Sequence, residues 1–163
     1  DTTHPRVIRL RTFSKAYGLA GLRVGYGLAH ADFAHAFNKI RHHFGMGRVA
    51  QAGALAALGD QDHLRATVAR IAAARDVIAA IARDHGLTPL PSATNFVTID
   101  CGRDGAFARA VLTGLVARGV FVRMPFTPPQ NRCIRVSAGT SADLAAFAAA
   151  LPLALAEAAL TVS

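Results

Sequence analysis

The sequence predicts an α/β fold. Three observations carry this expectation. Short runs rich in Val and Ile are interspersed with longer, alanine-rich stretches whose apolar residues recur at helical intervals, and glycine or proline falls at many of the junctions. Hydrophobic residues make up 52% of the 163 residues and charged residues 17%, a balance that favours folding over disorder. That length suits one ordinary domain or two small pieces.

The elements follow in order. Val7 to Leu10 reads as a short strand, Thr12 to Gly21 as a loop, and Arg23 to Ala29 as a second strand. Ala31 to Phe44 reads as a helix, with Phe33, Phe37 and Ile40 on one face. Arg48 to Leu58 is a second helix, broken at Gly59-Asp60. Leu64, Val68, Ile71, Ile78 and Ile81 place one long helix over Gln61 to His85, with Gly86 as its C-terminal cap. Such a helix is about 36 Å long, enough to bridge two lobes. Beyond Pro89 and Pro91, Asn95 to Asp100 reads as a strand and Gly105 to Arg118 as a helix ended by Gly119. Val120 to Met124 and Cys133 to Ser137 read as strands around a turn. Thr140 or Ser141 caps a last helix, Asp143 suits its first turn, and Pro152 should kink or break it. The first two strands lack neighbours in this order, which suggests two unequal parts and a partial protein.

The formal net charge is +8, and 16 of the 18 basic residues are arginine. These are scattered, with no basic run and no interleaved aromatic signature, so nucleic acid is not an expected partner. The first eleven residues have no apolar signal core. No apolar run reads as a membrane span; the alanine-rich stretch from Ala145 carries Pro152 and Glu157 and reads as helix. Cys101 and Cys133 fit no CxxC or zinc spacing, and buried reduced thiols suit a cytoplasmic protein. No metal site is expected, since adjacent His42 and His43 point to different sides of a helix.

The chemistry concentrates in residues 12–26, Thr-Phe-Ser-Lys-Ala-Tyr-Gly-Leu-Ala-Gly-Leu-Arg-Val-Gly-Tyr. A neutral lysine amine forms a Schiff base with an aldehyde cofactor, and Lys15 is one of only two lysines. Thr12 and Ser14 place hydroxyls beside it, and Arg23 offers a planar fork suited to a phosphate dianion. Gly18, Gly21 and Gly25 allow sharp turns or close backbone approach. A single loop lysine is ordinarily just a solvated cation, and it is the ordered surroundings that set this one apart. A phosphate loop of the GxxxxGK[ST] type is absent, and Gly25-Tyr26-Gly27 lacks the third glycine of a dinucleotide fingerprint.

The segment closely resembles the S-K-x-x-x-L-A-G-L-R-x-G-Y motif of fold-type I, class I/II aminotransferases, and within them the histidinol-phosphate aminotransferase group. Phe44 to Ala52, Pro91 to Phe96, Gly119 to Arg123 and Ile134 to Thr140 are similar to further segments of that family. The resemblance implies pyridoxal 5'-phosphate as cofactor, with Lys15 as its Schiff-base lysine and proton carrier. It implies Ser14 and Arg23 as phosphate ligands with Thr12 assisting, and Tyr26 facing the active site. Arg135 is then the grip on the substrate carboxylate, Arg123 a contact for a substrate phosphate, and Asn95 a further substrate contact. Taken alone, Arg135 could equally pair with a surface carboxylate, and Asn95 could be a turn residue.

The resemblance further implies the C-terminal part of the pyridoxal-phosphate transferase fold. Residues 1–60 would be a partial large cofactor-binding domain, 61–86 a bridging helix and 87–163 the small α/β domain. It implies transfer of an amino group between an amino acid or amino-alcohol phosphate and a 2-oxo acid, by a homodimer. Matching only the C-terminal half of the family's proteins, the chain is expected to be a fragment, inactive or poorly folded alone. Two alternatives stand beside this: a related decarboxylase of a phosphorylated amino acid, and a non-catalytic remnant that acts as a binding module.

Overall fold

A computed structural model of the chain describes residues 4–162. The elements run β1 (Ile8–Thr12), β2 (Gly25–Ala29), α1 (Ala31–Phe37), α2 (Arg48–Gly59), α3 (Gln61–Asp84), β3 (Thr88–Pro89), β4 (Phe96–Asp100), α4 (Gly105–Ala117), β5 (Cys133–Ser137) and α5 (Ser141–Thr161). The chain forms two compact units that divide between Val68 and Ala69, inside α3.

In the first unit β1 and β2 form a two-stranded antiparallel sheet with Leu10 opposite Gly27. Thr12, expected in the loop, is the last residue of β1, and β2 begins two residues later than expected, at Gly25. Gly25 is required there, because a Cβ would lie 2.6 Å from the Arg11 carbonyl oxygen. Phe13, Val24, Ala50 and Ala54 form the buried core, with Tyr17, Leu19, Leu22 and Ala57 packed around it. The expected helix to Phe44 ends at Phe37 and gives way to turns in which Asn38, Lys39 and Ile40 donate to carbonyls three residues back. The physical reason is that α1 has no buried residue, and short helices depend on burial of a face.

In the second unit β3, β4 and β5 form an antiparallel sheet in that order, with Ile99 opposite Ile134 and Val97 opposite Val136. Alternation places Val97, Ile99, Ile134 and Val136 in the core, while Thr98 and its partner Arg135 lie on the other face. The core continues through Phe107, Val111 and Leu115 of α4 and Phe147, Leu151 and Ala154 of α5. Gly86 and Gly119 adopt φ of +74° and +78°, as chain reversal after a helix demands. The two-residue β3 was not foreseen.

Two expectations fail in this unit. Val120 to Met124 does not form a strand; only Arg123 bridges Arg135. Gly119 turns the chain on one side, and on the other Pro125 has no N–H for the next rung of the ladder. The helix also runs through Pro152 without a break. Proline inside a helix costs about 3 kcal/mol, but Phe147, Ala150, Leu151, Ala154 and Ala158 are buried on both sides of it, which offsets the missing bond. Thr140 caps α5 in a capping box with Asp143. By length and composition alone α5 could cross a membrane; here it supplies one wall of the core.

Candidate active site

In the first unit, the end of β1 builds a cluster of donors. Buried Phe13 anchors it: its N–H donates to the Val24 carbonyl at 3.2 Å, and its carbonyl accepts from Leu19 N–H at 2.9 Å. The loop between is thereby tied to both strands. Gly18, at φ +72°, returns its N–H to the Lys15 carbonyl at 2.8 Å and closes a turn that leaves the Lys15 side chain exposed. Thr12 Oγ1 accepts from the Ser14 N–H at 3.0 Å, so its own hydroxyl proton remains free to donate.

Arg23 closes the group. Its backbone is left-handed at φ 54°, an uncommon conformation for a residue with a Cβ. From there its Nη1 donates to the Ala20 carbonyl at 2.7 Å and reaches Ser14 Oγ at 3.5 Å. Two hydroxyls and one guanidinium thus belong to one hydrogen-bonded group with no carboxylate in it. That donor set fits a phosphate monoester. Tyr26 stands on β2, partly exposed, with its ring 5.8 Å from that of Phe13.

In the second unit the structure brings Arg123 and Arg135 together. Arg123 N–H donates to the Arg135 carbonyl at 3.1 Å, and Arg135 N–H to the Arg123 carbonyl at 2.6 Å. Both line a cavity of about 480 Å³. The Arg135 guanidinium lies 4.6 Å from the centre of the Phe96 ring, a cation–π contact that steadies it without neutralising it. Asn95 does not line this cavity; its carbonyl accepts from Ala138 N–H at 2.9 Å, beside the strand pair.

The titratable groups around this sheet are structural. Burial, reinforced by nearby Cys133, pushes the Cys101 thiol up to about 12, so it stays protonated and a poor nucleophile. Burial acts to raise the Asp100 carboxyl as well. Hydrogen bonds from Gly102 N–H and Arg132 outweigh it and hold Asp100 below its ordinary value.

The family model for class I and II aminotransferases matches residues 1–151. The chain belongs to that family. It is 40% identical over 155 residues to histidinol-phosphate aminotransferase 2 of Ralstonia nicotianae, covering 95% of this chain and 41% of that protein. It is 42% identical over 147 residues to histidinol-phosphate aminotransferase 2 of Methylococcus capsulatus, covering 90% and 39%. Among solved structures, histidinol-phosphate aminotransferase from Sinorhizobium meliloti in complex with pyridoxal-5'-phosphate matches with a TM-score of 0.89 and 54% identity. That match covers 93% of this chain and 42% of the other. The chain therefore spans about two fifths of the length of the relatives it matches, and its mixed α/β architecture is part of the pyridoxal-phosphate transferase fold.

The motif residues divide between the units: Thr12, Ser14, Lys15, Arg23 and Tyr26 lie in the first, and Asn95, Arg123 and Arg135 in the second. Sequence reasoning missed the rest of the arginine cavity. Arg109 and Leu112 of α4, with Phe121, Val122, Met124 and Phe126, complete its lining. The available signal was slight. Arg109 and Leu112 are three apart and share a helix face, but one arginine among sixteen scattered ones does not announce a site.

Proposed function

We propose that this chain carries the cofactor lysine and the substrate-gripping arginines of a pyridoxal-phosphate-dependent aminotransferase of the histidinol-phosphate type. The reaction would move an amino group between an amino acid or amino-alcohol phosphate and a 2-oxo acid. The observation that carries the reading is the Thr12–Ser14–Arg23 donor group with Lys15 next to Ser14 in a turn. Its likeness to the 54%-identical, cofactor-bound relative supports it.

Pyridoxal phosphate, when bound, supplies an aldehyde carbon and a conjugated ring that takes up electrons. The protein's part is separate. The hydroxyls of Thr12 and Ser14 and the fork of Arg23 hold the phosphate and so fix orientation. Lys15 Nζ would be the covalent anchor for the cofactor aldehyde and, as a free amine, the base that carries a proton between the substrate Cα and the cofactor carbon. Arg135 grips the substrate carboxylate in a bidentate pair, Arg123 meets a second anionic group, and Tyr26 and Asn95 are polar contacts to substrate. A homodimer in the cytoplasm suits this reading. The apolar side chains left exposed in the first unit, Leu10, Ile40, Phe44 and Leu55, suit burial against further protein.

The test is chemical. The chain is mixed with pyridoxal phosphate, reduced with borohydride and mapped by peptide mass spectrometry. The expected result is a single reduced adduct on Lys15 that is lost in Lys15→Ala and weakened in Arg23→Gln. An adduct on Lys39 alone, or an undiminished adduct in Lys15→Ala, would overturn the assignment. Release of carbon dioxide from the substrate by the whole enzyme would replace transamination with decarboxylation.

A further inference from the structure

The three-stranded sheet carries an aromatic ring on the face that does not build the core. Alternation along β4 sends Val97 and Ile99 into the core and Phe96, Thr98 and Asp100 to the other face. Phe96 is only half-buried and lies outside the core cluster, so core packing does not account for it. Phe96 is opposite Ser137 and Thr98 is opposite Arg135. Phe96 and Arg135 are therefore diagonal neighbours on one face, a separation that an aromatic and a long side chain can span. The Arg135 guanidinium lies 4.6 Å from the ring centre. No ion pair competes for it among the described residues: Asp100, the acid on that face of β4, is engaged by Arg132 Nε at 2.8 Å.

The backbone of Phe96 is itself clasped by two hydroxyls. Ser92 Oγ donates to the Phe96 carbonyl at 2.6 Å and accepts from the Thr94 N–H at 3.1 Å. Thr94 Oγ1 accepts from the Phe96 N–H at 3.3 Å. The Thr94 carbonyl accepts from Arg75 Nη1 of α3 at 2.8 Å, which ties the strand entry to that helix.

We infer that Phe96 is a positioning residue for Arg135, held in place by the hydroxyls of Ser92 and Thr94. A ring steadies a guanidinium through its charge and flat shape and consumes none of its N–H donors. A carboxylate in the same place would take those donors and cancel the charge that a ligand needs. An aliphatic residue would leave the long arginine side chain free among its rotamers, and ordering it would then oppose ligand binding. The inference rests on the carboxylate-binding reading of Arg135 and adds to it what orients the fork.

The experiment follows the arginine Nε–Hε signals of the isotopically labelled full chain by NMR at low salt, with acetate as the carboxylate probe. Arg135→Gln identifies the Arg135 signal by its loss. The expected wild-type signal is displaced upfield, as befits a proton over a ring face, and moves as acetate is added. Phe96→Tyr should keep both properties. Phe96→Leu should lose the upfield displacement and need about two- to fivefold more acetate, the scale of an exposed cation–π contact. Ser92→Ala should change both in the same direction by less. If Phe96→Leu responds to acetate as the wild type does, the role of Phe96 is overturned and that of Arg135 stands. If Ser92→Ala changes neither property, the clasp is overturned and the stack stands. If the wild-type Arg135 signal does not respond to acetate, or responds equally to sodium chloride at the same ionic strength, the roles of Arg135 and Phe96 both fall. An amide spectrum of Phe96→Leu unchanged away from β4 and β5 shows that the variant is folded.

Discussion

The two units treat their apolar residues in opposite ways. In the second, nineteen described residues form one continuous buried cluster, with Ile78, Ile99, Val111, Leu115, Ile134 and Leu151 fully enclosed. In the first, the cluster is four residues, and Leu10, Ile40, Phe44, Val49 and Leu55 are each at least 70% exposed. Yet the first unit carries the lysine motif and the second carries the denser fold. The lesson is that the lysine-bearing loop is specified locally, by a turn at Gly18 and a tie at Phe13, with only a small core behind it. Independent stability needs apolar surface to be enclosed, and that is a property of the whole unit.

The largest expected difference is in hydrogen exchange. Amides of β1 and β2 should exchange at least about a hundredfold faster than those of β4 and β5, because local opening follows the buried contact each region must break. Equal protection would break the comparison. Side-chain truncation sharpens it. Leu151→Ala, at a fully buried position of α5, should cost about 2–5 kcal/mol in urea denaturation. Leu55→Ala, at a position 74% exposed, should stay within about 0.5 kcal/mol.

A smaller effect is expected at the cap of α5. Thr140→Ala removes the acceptor for Asp143 N–H and should cost about 1 kcal/mol, while Thr140→Ser retains most of it. The smallest is a pH effect in the second unit. The Arg118 hydrogen bond lowers the Glu157 pKa, and the Thr140 hydrogen bonds lower that of Asp143. A lowered folded value gives stability that is present above the unfolded value of about 4 and is lost as pH falls through the folded one. The difference in urea midpoint between wild type and Glu157→Gln should therefore shrink as pH falls below about 4. A difference that persists there would assign the effect to shape rather than charge.

Much of the candidate site's local geometry was legible because it is set within a few residues. Ser14, Lys15 and Arg23 lie within ten residues, and Gly18 and Gly25 do there what their type suggests, one by a positive φ and one by close approach to Arg11. Arg135 was legible as a strand arginine, whereas Arg123, expected on a strand, meets its neighbour through a single bridge. Arg109 was not legible, because its place beside them depends on how α4 packs against residues far along the chain. The helix expected to Phe44 failed for a related reason: its periodicity was present, but α1 buries no residue.

The sequence by itself determined α2, α3 and α4, the helix limits at Gly86, Gly119 and Thr140, the strands at residues 96–100 and 133–137, and the order of the lysine motif. These depend on backbone conformation and on spacings of a few residues, which are written into the chain directly. The tertiary structure alone decided that Val120 to Met124 stays unzipped, that α5 passes Pro152, and that three arginines share one cavity. Each of those outcomes compares a local cost or charge with contacts made by distant residues, and that comparison exists only once the chain has folded.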